Sequence, residues 1–142
     1  MIIIIHENNE WIEPFETALQ KLEKEYQIWY VPEMSLDMSS TPPGAVYWNR
    51  MSASSHTRGH RYTPELVAGI LSWLERHGRT VVNGPKALDL EISKMRQYQE
   101  LEKLGIPTPK TFCAIEKAQL LAGAEQVGFP LLTKHNRAGK GL

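Results

Sequence analysis

The run Ile2–Ile5 constrains this chain more than any other feature. Four consecutive β-branched residues favour an extended backbone. Strand side chains alternate between faces, so an unbroken apolar run needs cover on both sides of its sheet. Such strands belong to parallel sheets flanked by helices. No cationic stretch precedes the run, and it is too short for the apolar region of a signal peptide. "MIIIIH" is therefore expected as a buried first strand.

The rest of the first half alternates in kind. Trp11, Ile12, Phe15, Ala18, Leu19 and Leu22 recur at helical spacing, with Pro14 tolerated in the first turn. This stripe is expected to pack on the sheet rather than to bind another protein. "QIWYV" and "AVYWNR" read as further strands, separated by the aperiodic "PEMSLDMSSTPPG". Thr63-Pro64-Glu65 reads as a capped helix start, and Leu66, Val67, Ile70, Leu71 and Leu74 as its packing stripe. Gly78 is placed to end that helix, and "TVVN" returns the chain to the sheet. The alternation predicts an α/β domain over 1–84 with a small, mainly parallel sheet.

A second unit is expected over 85–142. Met95, Tyr98, Leu101 and Leu104 mark a helix, which Gly105 stops and Pro107 and Pro109 keep from continuing. "KTFCA" and "FPLLTK" are expected as strands around the helical "EKAQLLAGAEQVG".

Charge and cysteine content narrow the function classes. Lys+Arg and Asp+Glu both number 16, so no net charge draws the chain to nucleic acid or to an anionic membrane. Neither partner is expected, and no run is long enough for a membrane span. Cys113 is the only cysteine, which excludes an intrachain disulfide and favours a reducing, cytoplasmic setting. It reads as a buried thiol rather than a nucleophile.

Several residues carry chemical interest on their own. Lys134 follows "PLLT" and precedes a glycine-spaced basic segment, where main-chain N–H groups could approach phosphate oxygens. The segment "HNRAGKGL" is not a Walker A loop, so phosphate contact and a solvated loop both stand. Lys94, at a helix start, gains nothing from the helix dipole and equally suits a ligand or water. In "HTRGH", His56 and His60 flank a glycine that breaks helical spacing, and no metal site is expected. A polar loop, or contact with substrate or phosphate through Arg58, His60 and Arg61, remains. His6, at the end of the first strand, reads as a core-edge histidine or a ligand-side residue.

The order of these pieces resembles the ATP-grasp superfamily. The resemblance rests on "TVVNGPK", the "SK" at a helix start, "LEKLGIPTPKT" and "GFPLLTKHNRAGKGL", and less on "VYWNRMSAS". It is strong over 80–142, weak over the first 45 residues, and nearest to carboxylate–amine ligases that include glutamate-adding enzymes. The resemblance implies a pre-ATP-grasp domain followed by the beginning of an ATP-grasp nucleotide-binding domain. It implies phosphate contacts from Lys94 and Lys134, and a glycine-rich lid with backbone contributions from Gly139 and Gly141. Arg50 falls on the substrate side, with His60 and Arg61 as further candidates there.

The implied reaction uses ATP and Mg²⁺ to activate a small carboxylate as an acylphosphate, which an amine then attacks. Amino acids and peptides are within the substrate class. The implied Mg²⁺ ligands and adenine-binding linker have no counterpart in this sequence, so an N-terminal fragment, itself inactive, is expected. The rival reading is a non-catalytic α/β binding or interaction domain of the same ancestry. Neither reading specifies an oligomeric state.

Overall fold

A computed structural model describes residues 1–137. Four parallel strands, β1 (Ile2–His6), β2 (Tyr26–Tyr30), β3 (Val46–Asn49) and β4 (Thr80–Val82), form a sheet in the order β2-β1-β3-β4. The isoleucine strand is thus central, with a hydrogen-bonded neighbour on each side, and Ile3, Ile4 and Ile5 are fully buried.

Helices cover both faces. Helix α1 (Glu13–Lys21) joins β1 to β2, and α2 (Thr63–Arg76) joins β3 to β4. Ile3 and Ile5 cluster with Tyr47 and with Val67, Ile70, Leu71, Trp73 and Leu74 of α2. The intervening Ile4 pairs with Trp48, whose ring meets Phe15 of α1 edge-on at 4.8 Å. The two helices therefore lie on opposite faces. The α2 face is the principal core, and each large aliphatic side chain buried there is worth about 1.5–3 kcal/mol. The α1 face is thinner: Ile12 is buried and Phe15 and Leu19 half-buried, but Ala18 and Leu22 face solvent.

Beyond β4, α3 (Pro85–Glu91) inserts Leu88 into the α2-side core. Helices α4 (Lys94–Lys103) and α5 (Leu120–Val127) follow. Gly123 of α5 presses on the Phe112 ring, where a Cβ would come within 2.2 Å of a ring carbon. The Lys110 ammonium donates to the Gln126 carbonyl nearby. These contacts tether the extended 107–114 segment to α5. No helix among the described residues is long and apolar enough to cross a membrane.

Four expectations need correction. "KTFCA" and "FPLLTK" are not strands, because neither finds a neighbouring backbone among the described residues and a ladder needs a partner. For the same reason Cys113 is exposed rather than buried. Thr63 does not cap α2: it already lies in the helix, and its hydroxyl donates to the His60 carbonyl at 2.8 Å. Leu66 points outward while Trp73 takes a place in the core.

Candidate functional site at the strand ends

The carboxyl ends of β1 and β3 lie side by side where the strand order changes direction, a position at which open α/β sheets bind ligands. The chain leaves β1 through His6 and Glu7, and leaves β3 through Asn49 and Arg50.

Glu7 is 1% exposed and fully engaged. The Arg58 guanidinium grips both of its oxygens, from Nη2 to Oε1 and from Nε to Oε2, while His60 Nδ1 lies 3.0 Å from Oε2. Burial alone would push the Glu7 carboxyl up. The bonds from Arg58 and His60, reinforced by their charges, outweigh it and hold the carboxyl below its ordinary value. Both partners come from the 3-10 turn Ala53–Arg58 and the residues after it, which Gly59 turns back in a left-handed conformation, φ 82°. Arg58 also stacks over Trp11 at 5.1 Å.

His6 is buried beneath α1 beside Tyr30, with ring centroids 5.4 Å apart and neither ring nitrogen in a hydrogen bond of full geometry. Burial pushes its pKa down. The nearby Asn8 backbone and the Glu16 and Glu7 carboxylates offset this only in part.

Arg50 is held differently. Its guanidinium packs over Phe15 at 4.8 Å and Trp48 at 5.4 Å, and its buried Nε has no hydrogen-bond partner. Among the described residues it has no carboxylate partner. It lines a cleft of about 310 Å³ with Trp11, Asn49, Ser52, Asn83 and Glu91 among its walls. The cleft floor is braced across β3 and β4: Asn49 Nδ2 donates to the Asn83 carbonyl at 2.8 Å, and Asn83 Nδ2 to the Asn49 carbonyl at 3.2 Å.

The lysines lie in the second half. Lys94 is the first residue of α4, and Lys134 is exposed on an extended segment. Asn136, two residues beyond Lys134, clasps the α4 start. Its carbonyl accepts from Lys94 N at 2.9 Å and its Oδ1 from Met95 N at 3.0 Å, while Ser93 Oγ accepts from Arg96 N at 3.4 Å. Three first-turn N–H groups that a helix leaves unsatisfied are thereby filled. Any phosphate contact at this point falls to side chains. Arg137 continues the docking, donating to the Arg61 carbonyl at 3.2 Å and to Glu65 at 2.9 Å.

Thus the structure gathers Arg50 and His60 at the strand ends. Arg61 is exposed near Arg137, and Lys94 and Lys134 lie on segments joined through Asn136. Gly139 and Gly141 lie outside the described residues. Sequence reading missed Glu7; the signal available was an acidic residue directly following a buried central strand. His56 and His60 serve separate partners, the Ala53 carbonyl and Glu7, and no cluster of metal-ligating side chains lies among the described residues.

Comparison with solved structures places this architecture. The RimK domain protein ATP-grasp of Sphaerobacter thermophilus superposes with a TM-score of 0.70 at 17% identity, covering 99% of this chain and 51% of that one. The likeness is one of fold: a small parallel-sheet α/β domain followed by further helices, as in part of that ATP-grasp structure. The ATP-grasp ligase PsnB, solved with a minimal precursor, matches at a TM-score of 0.57 and 17% identity over 89% of this chain and 50% of its own. In sequence, N-acetylaspartylglutamate synthase A of Mus musculus is 33% identical over 75 residues, which is 51% of this chain and 20% of that protein. No protein-family model matches the chain. The chain thus spans one fifth of its curated relative and about half of each solved ATP-grasp structure.

Proposed function

We propose that this chain supplies the pre-ATP-grasp domain and the first part of the nucleotide-binding domain of an ATP-dependent carboxylate–amine ligase. The observation that carries this reading is the Asn136 clasp. It ties the segment bearing Lys134 to the helix start bearing Lys94, so two flexible cations are anchored by their backbones to one junction. Such an arrangement suits the oxygens of a polyphosphate.

In this reading the γ-phosphoryl group of ATP passes to a substrate carboxylate, giving ADP and an acylphosphate. An amine nitrogen then attacks the acyl carbon and phosphate leaves, forming an amide. Lys94 and Lys134 stabilise charge on the transferring phosphoryl group, and Arg50 faces the substrates. Magnesium, when bound, neutralises phosphate charge. The described residues offer no carboxylate cluster to hold it.

Calorimetric titration with ATP and Mg²⁺ tests nucleotide binding. ADP release by the intact protein against paired carboxylates and amines tests the reaction. Lys94→Ala and Lys134→Ala should each weaken ATP binding by about tenfold, the loss expected from removing a charge-assisted hydrogen bond. Unchanged ATP affinity in both variants would sink the assignment.

A further inference from the structure

We infer that the free edge of β2 is a dimerisation surface, where a second copy of this chain pairs antiparallel through the same strand. The inference is independent of the ligase reading and follows from the sheet itself.

The ladder fixes which backbone groups are spare. Ile2 N donates to the Glu25 carbonyl at 3.0 Å, and Ile2 and Ile4 stand in register with Tyr26 and Ile28. Along a strand, alternate residues turn their N–H and C=O to the same neighbour. Gln27 and Trp29 therefore serve β1, while Tyr26, Ile28 and Tyr30 turn theirs away from the sheet. The Tyr30 carbonyl opens the 3-10 turn Val31–Glu33. Both groups of Tyr26 and Ile28, and the Tyr30 N–H, have no hydrogen-bond partner among the described residues.

This pattern complements itself. With a two-fold axis at Ile28, the N–H and C=O of Ile28 exchange bonds with those of its copy. Tyr30 N–H then reaches the Tyr26 carbonyl of the other chain, on either side of the axis. The side chains agree. On the α1 face Ile28 meets its copy and Tyr26 meets Tyr30, the aromatic and β-branched pairs that stabilise adjacent strands. On the α2 face the exposed Gln27 lies opposite Trp29. There a groove of about 370 Å³, walled by Trp29, Met34 and Leu36, runs along the free side of β2 and gives that side chain room.

The strand carries none of the usual defences of an edge. Residues 26–30 include no charge, proline or bulge, whereas β4, the opposite edge, is only three residues long. Charge favours the same partner. Helix α1 lies beside this edge, since the Tyr26 hydroxyl donates to Glu16 and accepts from Gln20, each at 3.1 Å. The two-fold sets α1 antiparallel to its copy. Glu13 and Glu16 in the first turn of each helix then run beside Lys21 in the last turn of the other. Glu23 and Glu25 near the helix end temper this attraction, so the backbone pairing carries the contact.

The test is sedimentation equilibrium of the 142-residue chain, joined to amide exchange at two concentrations. A reversible dimer should form by about 1 mM. In it the Tyr26, Ile28 and Tyr30 amides should exchange about tenfold or more slowly than in dilute protein. Gln27 and Trp29 should exchange alike in both. Ile28→Lys and Ile28→Glu should each weaken association by about tenfold or more, because the axis sets like charges together. An equimolar mixture of the two should restore a heterodimer. Ile28→Pro removes an outward N–H and no bond to β1, so it should stay folded and monomeric. A chain still monomeric at about 1 mM would overturn the inference. So would a dimer indifferent to Ile28→Lys, or exchange at Tyr26, Ile28 and Tyr30 that ignores concentration. Should the Ile28 variants fail to fold in thermal melts, the exchange contrast in the unsubstituted chain decides.

Discussion

Glu7 and His6 are neighbours in sequence with opposite solutions to burial. Glu7 keeps its charge by capturing Arg58 and His60, whereas His6 avoids charge by remaining neutral under α1. Both pKa values are lowered in the fold, so both contribute stability above their unfolded values and lose it as pH falls. The His6 contribution declines as pH drops below its ordinary value of 6.5, and the Glu7 contribution as pH drops below 4.5. Melting temperatures recorded from pH 8 to pH 4 should therefore fall, and His6→Leu should flatten the upper part of that decline. A profile that rises on acidification would contradict this. Glu7→Gln removes the charge holding Arg58 and His60. Because those partners keep some water contact, a loss of about 1–3 kcal/mol is expected at neutral pH in chemical denaturation.

At the scale of elements, α2 carries the core and α4 carries a junction. Leu71→Ala, at a fully buried site, should cost about 2–5 kcal/mol and lower the denaturation midpoint. Asn136→Ala leaves two first-turn N–H groups of α4 without their partner, and amide exchange at Lys94 and Met95 should quicken while α2 is unaffected. The four strands of the sheet were readable because each is a short apolar or aromatic run bounded by turn residues, and a neighbouring strand exists for each. "KTFCA" and "FPLLTK" carry the same local signal, but extended propensity without a hydrogen-bonding neighbour leaves only an extended segment. Thr63 fails as a cap for a related reason: the His60 carbonyl offered its hydroxyl another bond.

Across the whole molecule, cohesion is uneven. The sheet and α2 bury most of the large apolar core side chains, while α4 buries none and α5 only Gly123. Ile115, Leu121, Phe129 and Leu132 are largely exposed. Amide protection should accordingly be highest in β1, β3 and α2 and low beyond residue 105, and the protein should bind a hydrophobic dye in its native state. Uniform protection along the chain would refute this division. The candidate site shows the same limit on reading sequence. Lysines on a family-like pattern could be marked in advance, but the Glu7–Arg58–His60 cluster joins residues more than 50 positions apart. Only the strand order brings them together.

That order also bears on how the chain is made. Of the four strands, β1 is synthesised first and lies inside the sheet, and its partner β3 is complete only at Asn49. The α2 cover arrives later still, at Arg76. During translation the isoleucine run must therefore leave the ribosome with at most one neighbour and one bare face. The nascent chain is consequently most exposed to chaperone capture before α2 has emerged.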